Sequence, residues 1–187
     1  MSKSEPGLRL RVSDACLLRL LDESDADELY RLVEANRAHL SRWMPWAAGQ
    51  TLEGTLDFIR LTDRQLADNT ALQTALVRDG GLIGMSGFHT VDWQHRAGTI
   101  GYWIGEAHQG EGTMTQAVRV LVDHAFGTWK LNRVEVRAAP ENLRSRAIPE
   151  RLGFREEGRL RQAERFGDRY VDSVVYGLLA SEWRSTA

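Results

Sequence analysis

Along the first hundred residues the spacing of hydrophobic positions changes repeatedly, and each change marks a new element. Leu8, Leu10 and Val12 alternate with Arg9 and Arg11, and Cys16 to Leu21 runs apolar, which predicts a strand or strand pair within 8–21. Asp22 to Asp27 carries helix-starting residues, after which Ala26, Leu29, Tyr30 and Val33 recur at helical spacing. A second helix is predicted from Leu52 to Ala67, with Thr51 as its N-cap and Glu53 in its first turn. From Ala71 the period falls to two. Ala71–Val77 and Leu82–Val91 flank Arg78-Asp79-Gly80-Gly81, which is hairpin chemistry because primed turns need positive φ. A second turn, Asp92 to Gly98, leads into a third antiparallel strand, Thr99–Ile104.

Beyond Ile104 the pattern becomes strand, glycine loop, helix. Gln109-Gly110-Glu111-Gly112 is followed by Met114, Ala117, Val118, Leu121, Val122 and Ala125 at helical spacing, predicting a helix to about Trp129. Arg133 to Ala138 alternates as a strand, and a strand–helix–strand crossover makes a parallel pair. Asn142 opens another helix, closed by Gly153, and a last hairpin joins Arg155–Phe166 to Tyr170–Leu179 around Gly167-Asp168. The expected architecture is α/β: a mixed, mostly antiparallel central sheet with helices on both faces. It forms one domain over 8–183, with flexible ends at 1–7 and 184–187.

Composition narrows the function classes. A chain of 187 residues, 42% hydrophobic and 27% charged, fits one globular domain. A formal net charge of −2 supplies no global field to recruit nucleic acid. No apolar run approaches the ~20 residues of a membrane helix, and Met1–Gly7 lacks a signal-peptide core. The one cysteine, Cys16, sits in an apolar run and suits a packing role in a reducing, cytoplasmic setting. Histidines 39, 89, 95, 108 and 124 form no ligand motif, so no metal is expected.

The candidate chemistry centres on residues 101–117. Uncovered glycine-loop amides and a helix dipole aimed at one spot make a cradle for anionic phosphate. Thr113-Met114 stands where a nucleoside-triphosphate loop needs Lys-Ser/Thr, and Thr115 where a dinucleotide fingerprint needs its third glycine. The residues alone leave a phosphate site and an ordinary strand–helix turn both open. Trp43-Met44-Pro45-Trp46 puts large apolar surface in a connecting segment, as a plug over the core or as one wall of a substrate groove. Pro149 falls inside the last helix, where it denies an amide to the Ser145 carbonyl. A kink is expected there, with that carbonyl left to water, ligand or another donor.

Gln109-Gly110-Glu111-Gly112-Thr113-Met114 behind an aromatic strand resembles the pyrophosphate loop of the GCN5-related N-acetyltransferases (GNAT). Asn142-Leu143-Arg144-Ser145, Leu152-Gly153-Phe154, Glu157-Gly158, Gln162-Ala163-Glu164 and Glu182-Trp183 extend the likeness over most of 99–183. The pattern is similar to the Rim-type ribosomal-protein N-terminal acetyltransferases. The resemblance implies acetyl-coenzyme A as co-substrate, held by Gln109 to Met114, Asn142, Ser145 and the backbone of Trp103 and Ile104, in a wedge between splayed parallel strands. It implies an amide near Trp103 and Ile104 as oxyanion donor, Ser145 beside the sulfur and Glu164 as base; independently of the resemblance, His89 and His108 are alternative bases because an imidazole titrates near neutral pH. Trp43, Trp46, Phe88 and His89 are the expected acceptor-binding residues. The implied reaction is direct acetyl transfer to a primary amine in a ternary complex, with a protein α-amine favoured as acceptor. The alternatives are a small amine (polyamine, amino acid or antibiotic) and a coenzyme-binding regulatory module without turnover. A homodimer is implied by the resemblance alone.

Overall fold

The computed structural model describes residues 7–184; apart from Gly7 and Arg184, the expected flexible ends lie outside the described residues. Alternating segments become eight strands: β1 (Arg9–Arg11), β2 (Cys16–Leu20), β3 (Leu72–Arg78), β4 (Gly81–Asp92), β5 (Ala97–Ile104), β6 (Arg133–Ala138), β7 (Arg155–Phe166) and β8 (Arg169–Leu179). They form one sheet in the order β1-β2-β3-β4-β5-β6-β8-β7. The final hairpin therefore enters with β8 inside and β7 at the edge. Every neighbouring pair is antiparallel except β5–β6.

The helices are α1 (Ala26–Ala35), α2 (Arg37–Leu40), α3 (Leu52–Ala67), α4 (Thr113–Gly127) and α5 (Leu143–Arg151). Thr51 caps α3, its hydroxyl accepting the Gly54 N–H at 3.0 Å. The apolar faces of α1 and α3, with Ala26, Leu29 and Ile59, pack on Ala75, Val77 and Met85 on one side of the sheet. On the other side α4 buries Ala117, Val118, Leu121 and Val122 against Leu76, Ile100, Val136 and Tyr176. This two-faced burial is the mixed α/β arrangement expected from the sequence. Among the described residues no helix is long and apolar enough to cross a membrane.

One expected groove residue belongs to this core instead. Phe88 is fully buried, its ring centroid 5.0 Å from that of Trp129, because the pleat of β4 turns it toward α4. It lines no part of the large cavity at the centre of the sheet.

There the sheet opens. β5 and β6 pair from Ala97↔Arg133 to Ile100↔Val136 and then part. Beyond that point β5 remains with β4 to Ile104, while β6 remains with β8 to Ala138. The Gly105 N–H donates across to Ile83 on β4 at 2.8 Å, so alternation along β5 turns the backbone groups of Trp103 toward β4. Those of Tyr102 and Ile104 face the gap. A wedge with unpaired strand amides results.

Candidate active site

Four elements converge on a cavity of about 1320 Å³: the wedge, the glycine loop with the start of α4, the start of α5, and the 39–46 segment. The loop is shaped by two glycines at positive φ, Gly110 at 85° and Gly112 at 78°. Gly112 is also the N-cap of α4, and a glycine offers no side chain to the first helical amides. The N–H groups at the head of α4 therefore stay available to an anion, with the helix dipole behind them. Thr113 and Met114 contribute these amides, while the Met114 side chain packs into the core.

The loop side chains are tied to neighbours. Gln109 donates to His39 Nε2 at 2.7 Å and accepts from Arg144 Nη1 at 2.6 Å, bridging α2 and α5. Glu111 lies off the cavity wall, and its carboxylate pairs with Arg78 at 2.6 Å. Asn142 caps α5 through its Oδ1, which accepts the Ser145 N–H at 3.2 Å, and it also lines the cavity.

Ser145 has a partner that the sequence reading missed. The Tyr102 hydroxyl donates to the Ser145 carbonyl at 2.9 Å, and the Ser145 hydroxyl reaches the Tyr102 oxygen at 3.4 Å. This carbonyl is the one that Pro149 leaves without an amide, so Tyr102 is the donor the proline requires. The helix carries on through Pro149 to Arg151. Burial pushes the Tyr102 phenol well above the usual tyrosine range, which keeps it protonated as a donor. Alternation from Ile100 and Ile104 was the available signal, since it sets Tyr102 on the α5 side of β5.

Across the cavity stand Glu164 and His89, each next to a strand irregularity. In β7 the pairing jumps from Leu160↔Ser173 to Glu164↔Val171, and Gln162 adopts a φ of 51°. Asp172 holds this bulge, accepting the Gln162 N–H at 2.8 Å and Arg159 Nε at 2.7 Å. Glu164 follows directly and lines the cavity. In β4 the pairing jumps from Phe88↔Ile100 to Thr90↔Thr99, so His89 is the extra residue that re-aims its side chain. Its imidazole lies over Gly101, where a β-carbon would come within 1.6 Å of Nε2, so any larger residue there would displace the ring. Gln73 Nε2 sits 3.2 Å from the Phe88 carbonyl and 3.3 Å from His89 Nδ1. Part of the His89 ring reaches solvent, yet desolvation against the sheet lowers its pKa below the ordinary 6.5. His108 also lines the cavity, beside the glycine loop.

Trp43 and Trp46 line the opposite end with Met44 and Phe58, and the Trp46 ring stands 6.2 Å from Trp103. Trp103 thus gives its side chain to this aromatic end and its backbone to β4. Two carboxylates, Glu106 and Glu164, line the cavity against four arginines, Arg119, Arg137, Arg144 and Arg151. This charge balance suits an anionic ligand far better than a polycation.

The model of the acetyltransferase (GNAT) domain matches residues 16–155. The chain is 38% identical over 175 residues to Bacillus subtilis YdaF, provisionally named a ribosomal N-acetyltransferase, covering 92% of this chain and 96% of that protein. It is similar in fold to RimL, a ribosomal L7/L12 α-N-protein acetyltransferase solved with coenzyme A, at TM-score 0.88 and 26% identity, covering 92% and 98%. It is also similar to MccE, a microcin C7 self-immunity acetyltransferase solved with acetyl-CoA and AMP, at TM-score 0.86 and 26% identity, covering 94% and 98%.

Tyr102→Phe strands the Ser145 carbonyl and costs about 1–3 kcal/mol, the penalty of an unsatisfied buried acceptor. In a Pro149→Ala background, where an amide can serve that carbonyl, chemical denaturation shows a much smaller cost for the same change. His89 binds its proton less readily folded than unfolded, so its contribution to stability is present above the unfolded pKa near 6.5 and is lost as pH falls through the folded value. Urea midpoints measured from pH 7.5 to 5 fall less steeply for His89→Gln than for the parent.

Proposed function

Because this chain belongs to the GNAT family and is an acetyl-CoA-dependent N-acetyltransferase, we propose that its acceptor is the α-amine of a protein N-terminus, a ribosomal protein foremost. The observation that carries this is the convergence, on one cavity, of the open β5 amides, the uncapped head of α4, Ser145 and Glu164. The donor side fits its ligand. Unpaired amides of Thr113 and Met114 suit the pyrophosphate, and Asn142 and the wall arginines suit the rest of a coenzyme rich in phosphate. The gap-facing backbone of Tyr102 and Ile104 suits an amide-bearing pantetheine arm.

The chemistry assigns one task to each residue. The Ile104 N–H holds the thioester oxygen as negative charge develops on it. The acceptor nitrogen attacks the carbonyl carbon in its neutral form, and Glu164 takes the proton that the new C–N bond releases. As the C–S bond breaks, the Ser145 hydroxyl donates to the departing sulfur, and Tyr102 keeps the serine in place. An α-amine, with pKa ~8, has a usable neutral fraction near pH 7, whereas a lysine at ~10.4 has almost none. An exposed carboxylate is a sufficient base for the first and a poor one for the second.

Similarity to RimL, whose acceptor by its name is the L7/L12 α-amine, supports a protein N-terminus. A small amine is the second reading, favoured by the aromatic end formed by Trp43, Trp46 and Trp103 and by the likeness to MccE. Two carboxylates among four arginines argue against a polyamine. A homodimer, on the strength of the family resemblance, and a cytoplasmic setting, which a single packed cysteine suits, complete the proposal.

Thiol release from acetyl-CoA tests it against ribosomal-protein N-terminal peptides, their N-acetylated controls, amino acids and polyamines. Peptides with a free α-amine should turn over and blocked ones should not. Glu164→Gln should lower kcat about 100-fold with little change in the KM for acetyl-CoA, as loss of a general base requires. Selective turnover of small amines would reassign the acceptor, and full activity in both Glu164→Gln and Ser145→Ala would reject the catalytic pair.

A further inference from the structure

The glycine loop contains a residue of the wrong sign. Glu111 stands between Gly110 and Gly112, in the loop proposed to cradle the pyrophosphate, and a carboxylate there repels a dianion. Its partner comes from a distant strand. Arg78, the last residue of β3, sends Nη1 to Glu111 Oε2 at 2.6 Å and Nη2 to the Thr113 hydroxyl in a tight contact. The guanidinium side chain is largely buried, about one-fifth exposed, and Arg78 does not line the cavity, although Gly110, Gly112 and Thr113 do.

We propose that Arg78 is a positioning residue for the coenzyme, which neutralises Glu111 and ties it to the first residue of α4 so that the loop presents its amides to the pyrophosphate. The proposal rests on the coenzyme reading of the cavity. Two separate effects combine in the one side chain. Electrostatically, the pair converts a −1 charge beside the anion site into a neutral ion pair, so the partial positive charge at the head of α4 is not cancelled. Geometrically, a planar fork gripping Glu111 and Thr113 spans Gly112, whose left-handed conformation is otherwise held by no side chain. The same fork joins the end of β3 to the loop after β5, so the loop inherits the rigidity of the sheet. Arg78 needs no contact with the ligand to do this.

Calorimetric titration with coenzyme A tests the proposal in the parent, Arg78→Met, Arg78→Lys, Glu111→Gln and the Arg78→Met/Glu111→Gln double variant. Methionine keeps the apolar stem and removes the charge. Arg78→Met should weaken coenzyme A about 5- to 10-fold, the scale of one partly exposed ion pair. Arg78→Lys should lie between it and the parent. Glu111→Gln alone should tighten binding, since Arg78 is then uncompensated. The double variant should recover most of the loss, and the loss in Arg78→Met should shrink at high salt. The KM for the amine should not move in any variant.

Unchanged affinity in Arg78→Met, or a double variant as weak as Arg78→Met, would overturn the proposal. If Arg78→Met does not fold, the comparison of parent, Arg78→Lys and Glu111→Gln decides it: affinity that ignores both changes rejects the role. A parent chain that binds no coenzyme A at all would instead overturn the coenzyme reading of the cavity, a result distinct from either.

Discussion

Two phenolic hydroxyls, those of Tyr102 and Tyr176, fasten α5 across the opening of the sheet. Where β5 and β6 part, no ladder bond joins the end of β5 to the end of β6, and α5 spans the opening in their place. On one flank Tyr102 donates to the Ser145 carbonyl. On the other, the Tyr176 hydroxyl on β8 accepts from Arg146 and donates to Glu150, each at 2.7 Å. Pro149 makes the first link necessary, because without Tyr102 the helix would carry an orphaned carbonyl at the residue proposed to face the reacting sulfur. The cost of a helical proline and the placement of Ser145 are thus one problem with one solution.

Around that opening the molecule leaves backbone groups unpaired in a controlled way. Ile104 turns its amide into the wedge because β5 stays bonded to β4 by its odd-numbered residues. The head of α4 keeps its amides free because its N-cap is a glycine. Opposite them, two strand bulges set His89 and Glu164 on the cavity wall, one packed over Gly101 and the other beside the turn held by Asp172. A regular sheet has no such positions. The site is assembled from local departures, each held by a named side chain.

These departures also mark the boundary of what could be read in the chain. Alternation and helical spacing located the segments well, and α3 and β6 fall where the pattern sets them. Pro149 pointed to a carbonyl in need of a donor but not to the donor, since Tyr102 lies 43 residues away in sequence and the contact depends on tertiary packing. Phe88 was misread because an aromatic next to a histidine on a strand gives no sign of which face is core. The pairing of Arg78 with Glu111 likewise joins residues 33 apart and depends on tertiary packing. The glycine loop was legible because conformation and chemistry there are both local.

Coenzyme binding of the kind proposed requires the wedge and the head of α4 to be one ligand site. Amide hydrogen exchange with and without coenzyme A tests that directly, because ligand contact slows the exchange of the amides it covers. Slower exchange at Tyr102 and Ile104 together with Gly110–Thr115 is the predicted result. Protection on the outer face of β7 or in the 9–19 region, with the wedge amides exchanging as before, would contradict it.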